Sequence, residues 1–202
     1  MKKWIVFSFY ICKVVDNNII SVYILCGGKN KRMGTEKGLV KINGKSFIEL
    51  IVNAVSNFSE NIFLVTDNKN YLSLGYPIIG DLYKNKGPVS GIFSALNHSK
   101  TDQNLILSCD VPFINFKILD TIIQQHYLFN KKITIAKDSS NIHPLIGMYH
   151  QSIKSVFKRS ILDGNLKLIN VIEKIDVEYV KFNNSSKKFL KNINSFKLLD
   201  NS

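Results

Sequence analysis

Ile19-Ile20-Ser21-Val22-Tyr23-Ile24-Leu25-Cys26-Gly27-Gly28-Lys29-Asn30-Lys31-Arg32-Met33-Gly34-Thr35-Glu36-Lys37-Gly38-Leu39 is the stretch that decides the fold. Its opening residues Ile19, Ile20, Val22, Tyr23 and Ile24 are β-branched or aromatic, which suits a short buried strand. Gly27 and Gly28 fall where that strand must stop. Glycine permits positive φ and close backbone approach, so consecutive N–H groups can converge on one anion. Arg32 and Lys37 add two cations to the same loop, beside Gly34. A buried strand running into a cationic glycine loop implies a clamp for a nucleoside triphosphate. Two better-known templates do not fit. Gly27-Gly28 lacks the G-x-G-x-x-G spacing, and five residues separate Gly38 from Gly44 before Lys45-Ser46, where a P-loop has four.

Outward from this loop, apolar runs of strand length alternate with stretches at helical spacing. Asn61–Thr66, Asn104–Ser108, Lys132–Ala136 and Ile146–Tyr149 are expected strands. Phe47–Val55, Val89–Leu96, Phe116–Phe129 and Ile153–Leu162 are expected helices, with Pro88 opening the second at a first-turn position. Asn43-Gly44 is a tight turn between Val40-Lys41-Ile42 and the helix that starts near Ser46. This rhythm implies an α/β fold with a mostly parallel central sheet, ligands gathering at the carboxyl ends of its strands. No internal repeat or linker interrupts it, so residues 19–202 are expected to form one domain.

With 202 residues, 45% of them hydrophobic and 21% charged, the composition excludes a disordered or fibrous chain. A net charge of +12 suits acidic partners such as nucleotides, phosphorylated metabolites or nucleic acid. Lysine and asparagine are spread along the whole chain, including Asn183–Lys191, so most of that charge is expected on a solvated face. Cys12, Cys26 and Cys109 form no C-x-x-C pair, which argues against a disulfide framework or zinc site and for a reducing compartment. The histidines form no H-x-x-x-H pair, and His126 and His150 are expected to be structural or surface residues. Met1-Lys2-Lys3 before the apolar run Trp4–Cys12 mimics a signal peptide. Yet no small-residue cleavage site follows and the run is too short to span a bilayer. Residues 1–18 are therefore expected to be an extension, from an upstream start codon or an extra strand.

Three further segments carry chemistry. Ser108-Cys109-Asp110-Val111-Pro112-Phe113 sets a carboxylate directly after an apolar strand. Mg²⁺ takes one or two carboxylates together with phosphate oxygens and water, so Asp110 alone could anchor a metal–triphosphate unit. Its alternative role is to cap the helix near Phe116, which the turn at Pro112 disfavours. Asp81 precedes Gly87-Pro88-Val89-Ser90-Gly91, where glycines flanking a helix start suggest close approach by a ligand or by another backbone. His143-Pro144-Leu145 could touch a substrate or simply end a loop. Asn192 and Asn194 would share one face if extended, offering paired donors and acceptors, or they could form a polar turn.

In this order the pieces resemble the molybdenum cofactor guanylyltransferase family, within the GT-A-like nucleotidyltransferases. The resemblance rests on Leu25-Cys26-Gly27-Gly28, Arg32-Met33-Gly34, Lys37-Gly38-Leu39, Asp81 before Gly87-Pro88-Val89-Ser90-Gly91, Cys109-Asp110-Val111-Pro112-Phe113, His143-Pro144-Leu145 and Asn192-Ile193-Asn194-Ser195. It spans about residues 19–200. Cys26 stands where the family has alanine and Glu36 where it has aspartate. Gly164-Asn165-Leu166-Lys167 stands where an arginine is frequent, and Thr66 or Asn68 where relatives use an asparagine near the guanosine.

The resemblance implies a three-layer Rossmann-like (GT-A-type) fold and transfer of GMP from GTP to molybdenum-bearing molybdopterin, releasing pyrophosphate. It implies that Leu25, Cys26, Gly27 and Gly28 hold the triphosphate, with Arg32 on its outer phosphates and Lys37 at the α-phosphoryl. It implies Mg²⁺ on Asp110, Asp81 beside the nucleoside or metal, and His143, Asn192 and Asn194 toward the acceptor. The expected setting is cytoplasmic, without nucleic acid or membrane, as a monomer or weak oligomer in transient contact with molybdoenzyme chaperones. Two alternatives stand beside it: another nucleotidyltransferase of this fold using CTP or a sugar-phosphate acceptor, and a non-catalytic basic nucleic-acid binder. The second lacks RNP-like aromatic interleaving and any zinc or helix-turn-helix signature.

Overall fold

A computed structural model describes residues 20–27 and 36–194; residues 1–18, Gly28, Arg32, Gly34 and Ser195 lie outside that range. In chain order the strands are β1 (Ile20–Leu25), β2 (Lys41–Ile42), β3 (Lys45–Ser46), β4 (Ile62–Val65), β5 (Ile78–Ile79), β6 (Gln103–Ser108), β7 (Ile133–Lys137), β8 (Ile142–His150) and β9 (Val177–Lys181). The α-helices are α1 (Phe47–Val55), α2 (Gly87–His98), α3 (Phe116–Phe129), α4 (Lys154–Leu162), α5 (Leu168–Ile172) and α6 (Lys187–Leu190). Among the described residues, seven strands form one sheet in the order β5-β4-β1-β6-β8-β7-β9, and β2 and β3 form a small hairpin. The hairpin turns at Asn43-Gly44, both with positive φ, as that dipeptide requires.

β1 is buried along its whole length and alternates its side chains between two layers. Ile20, Val22 and Ile24 meet α1 and α3 through Ile48, Ile51, Ile118 and Ile122. Tyr23 and Leu25 face the opposite layer, where Ile92 and Leu96 of α2 and Phe157 of α4 pack. β6 repeats the scheme, with Leu105 and Leu107 on the first side and Ile106 on the second. A strand buried on both faces must be apolar at every position, which is why these segments show no polar alternation. The helices begin and end by local chemistry. Ser46 and Glu49 form a reciprocal capping box at α1, and Asn115 accepts from the Ile118 amide at α3.

The parallel pairs are β1 with β4 and β6, β4 with β5, and β7 with β9. β8 runs antiparallel to both β6 and β7, so the sheet is parallel on either side of one reversed strand. β7 and β8 lose register between Ile135, opposite Gly147, and Ala136, opposite His143, which pushes Pro144, Leu145 and Ile146 out of that ladder. Proline, with no N–H to give, suits such a bulge. Gly147 is obligatory there, because a Cβ would lie 2.5 Å from the Thr134 carbonyl oxygen.

Chain order reverses between β1 and β6, since β4 and β5 extend the sheet on one side of β1 and β6 starts the other. A crevice opens at such a switch point, beyond the carboxyl ends of the two strands. Cys26 and Gly27 follow β1, and Cys109 and Asp110 follow β6.

Candidate active site

The crevice is a cleft of about 1530 Å³. Leu25, Cys26 and Gly27 border it from the end of β1, and Ser108 and Asp110 from the end of β6. Thr66, Asp67, Asn68 and Asn70 line it after β4; Asp81, Gly87, Pro88 and Gly91 line it around the start of α2. Opposite polarity meets there: carboxylates from several strand ends, and the exposed amides of a helix whose N-cap, Lys86, makes no side-chain cap.

Lys37 sits on a 3-10 turn (Lys37–Leu39) that packs against α1. Its ammonium lies 3.3 Å from Asp110 Oδ2, joining positions 73 residues apart in sequence. The same ammonium donates to Asn194 Oδ1. Both partners of the ion pair are mostly desolvated, with side chains 16% and 15% exposed, so the attraction is stronger than for a surface pair. Gly38 holds the turn in place. Its amide donates to Tyr71 Oη over 3.2 Å, and a Cβ there would come within 2.7 Å of the buried Tyr71 ring.

Asp110 is no helix cap, since Asn115 fills that role. Its Oδ2 faces Lys37, while Oδ1 is buried and meets no hydrogen-bond donor among the described residues. A carboxylate oxygen buried without a partner is costly unless a ligand completes it. No group of three or more His, Cys, Asp or Glu side chains gathers among the described residues. A single carboxylate beside a polar cleft fits Mg²⁺, which keeps water and takes phosphate oxygens.

Asp81 lines the cleft and is fixed from α2, its Oδ1 accepting from Ser90 Oγ and, at 3.2 Å, from Ser94 Oγ. The two glycines near it differ in role. Gly91 lies against Leu25 of β1, whose Cδ1 would stand 3.3 Å from an added Cβ, whereas Gly87 has φ +66° and open space around it. Thr66 and Asn68 both line the cleft, and Thr66 Oγ1 accepts from the Asn68 amide over 3.1 Å. Lys167 is exposed at the start of α5 and does not line the cleft.

Toward the C-terminus, the amide of Ile193 donates to the Asp110 carbonyl over 2.8 Å, and its side chain is buried with Val40 and Phe47. Asn192 and Asn194 are exposed on either side of it. Asn194 thereby meets Lys37, and Asn192 stands outside the cleft lining. His143 also lies outside that lining, bonded through Nε2 to Asp138 Oδ2 at 2.9 Å, although Leu145 two residues on borders the cleft. Lys37 and Asn194 are thus brought to Asp110, and of these three Asp110 lines the cleft together with Leu25, Cys26, Gly27 and Asp81. Sequence reasoning passed over Ser90 and Ser94, whose four-residue spacing within the glycine-flanked helix was the available signal. It also passed over Asp138, whose signal was its place in a short turn before His143.

A switch-point cleft with this polarity is where a sheet of this order takes its ligand. Residues 22–176 match the MobA-like NTP transferase domain. The chain is 42% identical to the "Probable molybdenum cofactor guanylyltransferase" of Flavobacterium johnsoniae over 87% of its own length and 92% of the relative's. It is 30% identical to the molybdenum cofactor guanylyltransferase of Vibrio vulnificus, with 90% and 94% covered. A crystal structure of molybdopterin-guanine dinucleotide biosynthesis protein A from Archaeoglobus fulgidus superposes with a TM-score of 0.76 at 27% identity, covering 90% of this chain and 95% of that one. The chain belongs to the MobA-like NTP transferase family, among the molybdenum cofactor guanylyltransferases.

Proposed function

We propose that the protein transfers GMP from GTP to molybdenum-bearing molybdopterin, forming the guanine dinucleotide form of the cofactor and releasing pyrophosphate. The observation that carries this reading is the Lys37–Asp110 pair at 3.3 Å, whose Asp110 lines the same cleft as Cys26 and Gly27. A terminal phosphate oxygen of the acceptor attacks the α-phosphorus of GTP, the bond to the β-phosphate oxygen breaks, and pyrophosphate departs. The attacking oxygen is already anionic, so the protein needs no strong base and its task is positioning and charge stabilisation. Accordingly, no histidine is among the described residues that line the cleft.

Backbone N–H groups of Gly27 and Gly28 hold the triphosphate, and Arg32 meets its outer phosphates. The Cys26 amide is taken by the Val65 carbonyl at 3.0 Å, so Cys26 contributes its place at the strand end and not a donor. Lys37, poised by Asp110 and Asn194, turns its ammonium to the α-phosphoryl as negative charge builds there. Asp110 would hold Mg²⁺, which when bound neutralises charge on the phosphate oxygens. Asp81, braced by Ser90 and Ser94, presents its carboxylate to the nucleoside. Asn192 and His143 serve the acceptor. The reaction belongs in the cytoplasm beside the GTP pool, with transient hand-over to molybdoenzyme chaperones. No helix among the described residues is long and apolar enough to cross a membrane.

A single-turnover assay with α-labelled GTP, Mg²⁺ and molybdopterin tests this reading. Wild type should move label into the dinucleotide product, and Lys37→Ala should slow the step by about a hundredfold or more, as loss of an oxyanion donor does. Asp110→Ala should abolish transfer and also the GTP-dependent rise in melting temperature with Mg²⁺. Equal transfer from CTP, or near-normal turnover in Asp110→Ala, would sink the proposal.

A further inference from the structure

Tyr71 is fully buried, and its hydroxyl both accepts and donates on the two residues that flank Lys37. The Gly38 amide donates to Oη over 3.2 Å, and Oη donates to Glu36 Oε2 over 3.4 Å. These bonds join positions 33 and 35 residues apart in sequence. Only a glycine lets the backbone come so close, since a Cβ at Gly38 would lie 2.8 Å from Oη. Lys37 is thus held at two levels. Tyr71 fixes the backbone on either side of it, and Asp110 and Asn194 take its ammonium.

Tyr71 reaches this position from the far side of the cleft. It belongs to a 3-10 turn (Lys69–Leu74) that follows β4. Asn68 caps that turn, its Oδ1 accepting from the Asn70 amide over 2.9 Å, and both asparagines line the cleft. Glu36 and Leu39 line it beside Lys37. Tyr71 shares one buried cluster with Cys26 at the end of β1, Cys109 at the end of β6 and Ile48 of α1.

The hydroxyl is no acid or base for the reaction. Burial first, then the neighbouring Cys109 and Cys26 thiols and the Glu36 carboxylate, raise it well above the ordinary 10, so it stays protonated. Tyr71 is also not among the residues that line the cleft. What a buried, doubly bonded hydroxyl supplies is direction, because such bonds weaken steeply once bent or stretched. Direction matters for the transfer step, where a misplacement of about 1 Å can slow a reaction a hundredfold.

We propose that Tyr71 is a positioning residue for the transfer: through Gly38 and Glu36 its hydroxyl fixes the backbone from which Lys37 reaches the reacting phosphate. What Lys37 does there is taken from the proposed function. That Tyr71 sets the Lys37 turn is independent of it.

Tyr71→Phe tests this, keeping the buried ring and removing both bonds. Its melting temperature should fall by only a few degrees. Amide hydrogen exchange of the unliganded protein should speed up about tenfold or more at Gly38, while the amides of β1 and β6 keep their protection. The single-turnover rate of GMP transfer at saturating substrates should fall about tenfold, with half-saturating GTP and molybdopterin each within about twofold of wild type. Added to Lys37→Ala, the same change should slow transfer by less than about twofold, because no ammonium is left to aim. If Tyr71→Phe melts too low to assay, Glu36→Ala keeps the ring and the Gly38 bond and removes the acceptor of the hydroxyl. It should slow transfer about threefold, again with no further loss in Lys37→Ala. Unchanged exchange at Gly38 in Tyr71→Phe overturns the inference. So does a full tenfold loss in the Lys37→Ala background, which would mean that Tyr71 acts on the site by another route. Wild type that transfers no GMP overturns the proposed function instead, and the exchange at Gly38 then still decides whether Tyr71 sets the turn.

Discussion

Cys26 and Cys109 follow the two strands that frame the cleft, joined by the Cys109 amide donating to the Leu25 carbonyl over 3.1 Å. Both are free and buried. Burial first, then the neighbouring Cys109 thiol and the Glu36 carboxylate, push the Cys26 thiol well above its ordinary range. A protonated, enclosed thiol is a small apolar filler, which explains how cysteine can take the place of alanine at this position without bringing nucleophilic chemistry. We expect iodoacetamide at pH 8 to leave both residues unmodified in the native protein and to modify both in urea, resolved peptide by peptide by mass spectrometry. Modification of Cys26 at its unfolded rate would show that the strand end opens freely. At this scale the site was partly legible. Asp110 was readable because it follows an apolar run and precedes a proline. Asp138 was not, because a carboxylate five residues before a histidine has the look of an ordinary turn until the chain brings them into contact.

At the scale of elements, α1 and α3 fall where apolar spacing set them, Phe47–Val55 and Phe116–Phe129, since both pack one stripe on the sheet and carry strong caps. β9 and the reversal of β8 were not legible: a strand's direction is decided by its connections, not by its own residues. His126 shows how an expected structural histidine does its work. From α3 its Nδ1 meets Thr134 Oγ1 of β7 at 2.9 Å and its Nε2 meets Gln103 Oε1 of β6 at 2.7 Å. Burial, with His150 and Lys132 nearby, lowers the ring to about 4 from the ordinary 6.5. The native state therefore binds fewer protons than the unfolded chain between those values. The contribution is intact above pH 6.5 and is lost as pH falls toward 4, by up to about 3 kcal/mol. Urea titrations at stepped pH should find this fall. His126→Phe should be less stable by about 1–2 kcal/mol at pH 7.5, having left Thr134 and Gln103 unpaired, yet should show a shallower slope between pH 6.5 and 4. An unchanged slope would place the acid sensitivity elsewhere.

At the scale of the whole molecule, the site is closed by segments from both ends of the sequence. The turn bearing Lys37 comes early, Asp110 midway, and the Asn192–Asn194 segment last, pinned by the Ile193 amide to the Asp110 carbonyl at 2.8 Å. The sequence pattern pointed to two amides on one face but could not show that the residue between them is the anchor. Ile193 is fully buried with Val40 and Phe47, and that contact is what carries Asn194 to Lys37. Packing and polar contact can be separated by mutation. Ile193→Ala should cost about 2–4 kcal/mol, the usual range for such a buried truncation, and should lower turnover as well, because the Asp110 turn loses its support. Asn194→Ala removes only an exposed polar partner of Lys37, so its melting temperature should stay within a degree or two of wild type. Its kcat should nonetheless fall by about tenfold, the lysine having lost one of the two groups that aim it. If Asn194→Ala lost stability and kept its turnover, the C-terminal segment would be a strut for the fold and Lys37 would be positioned by Asp110 alone.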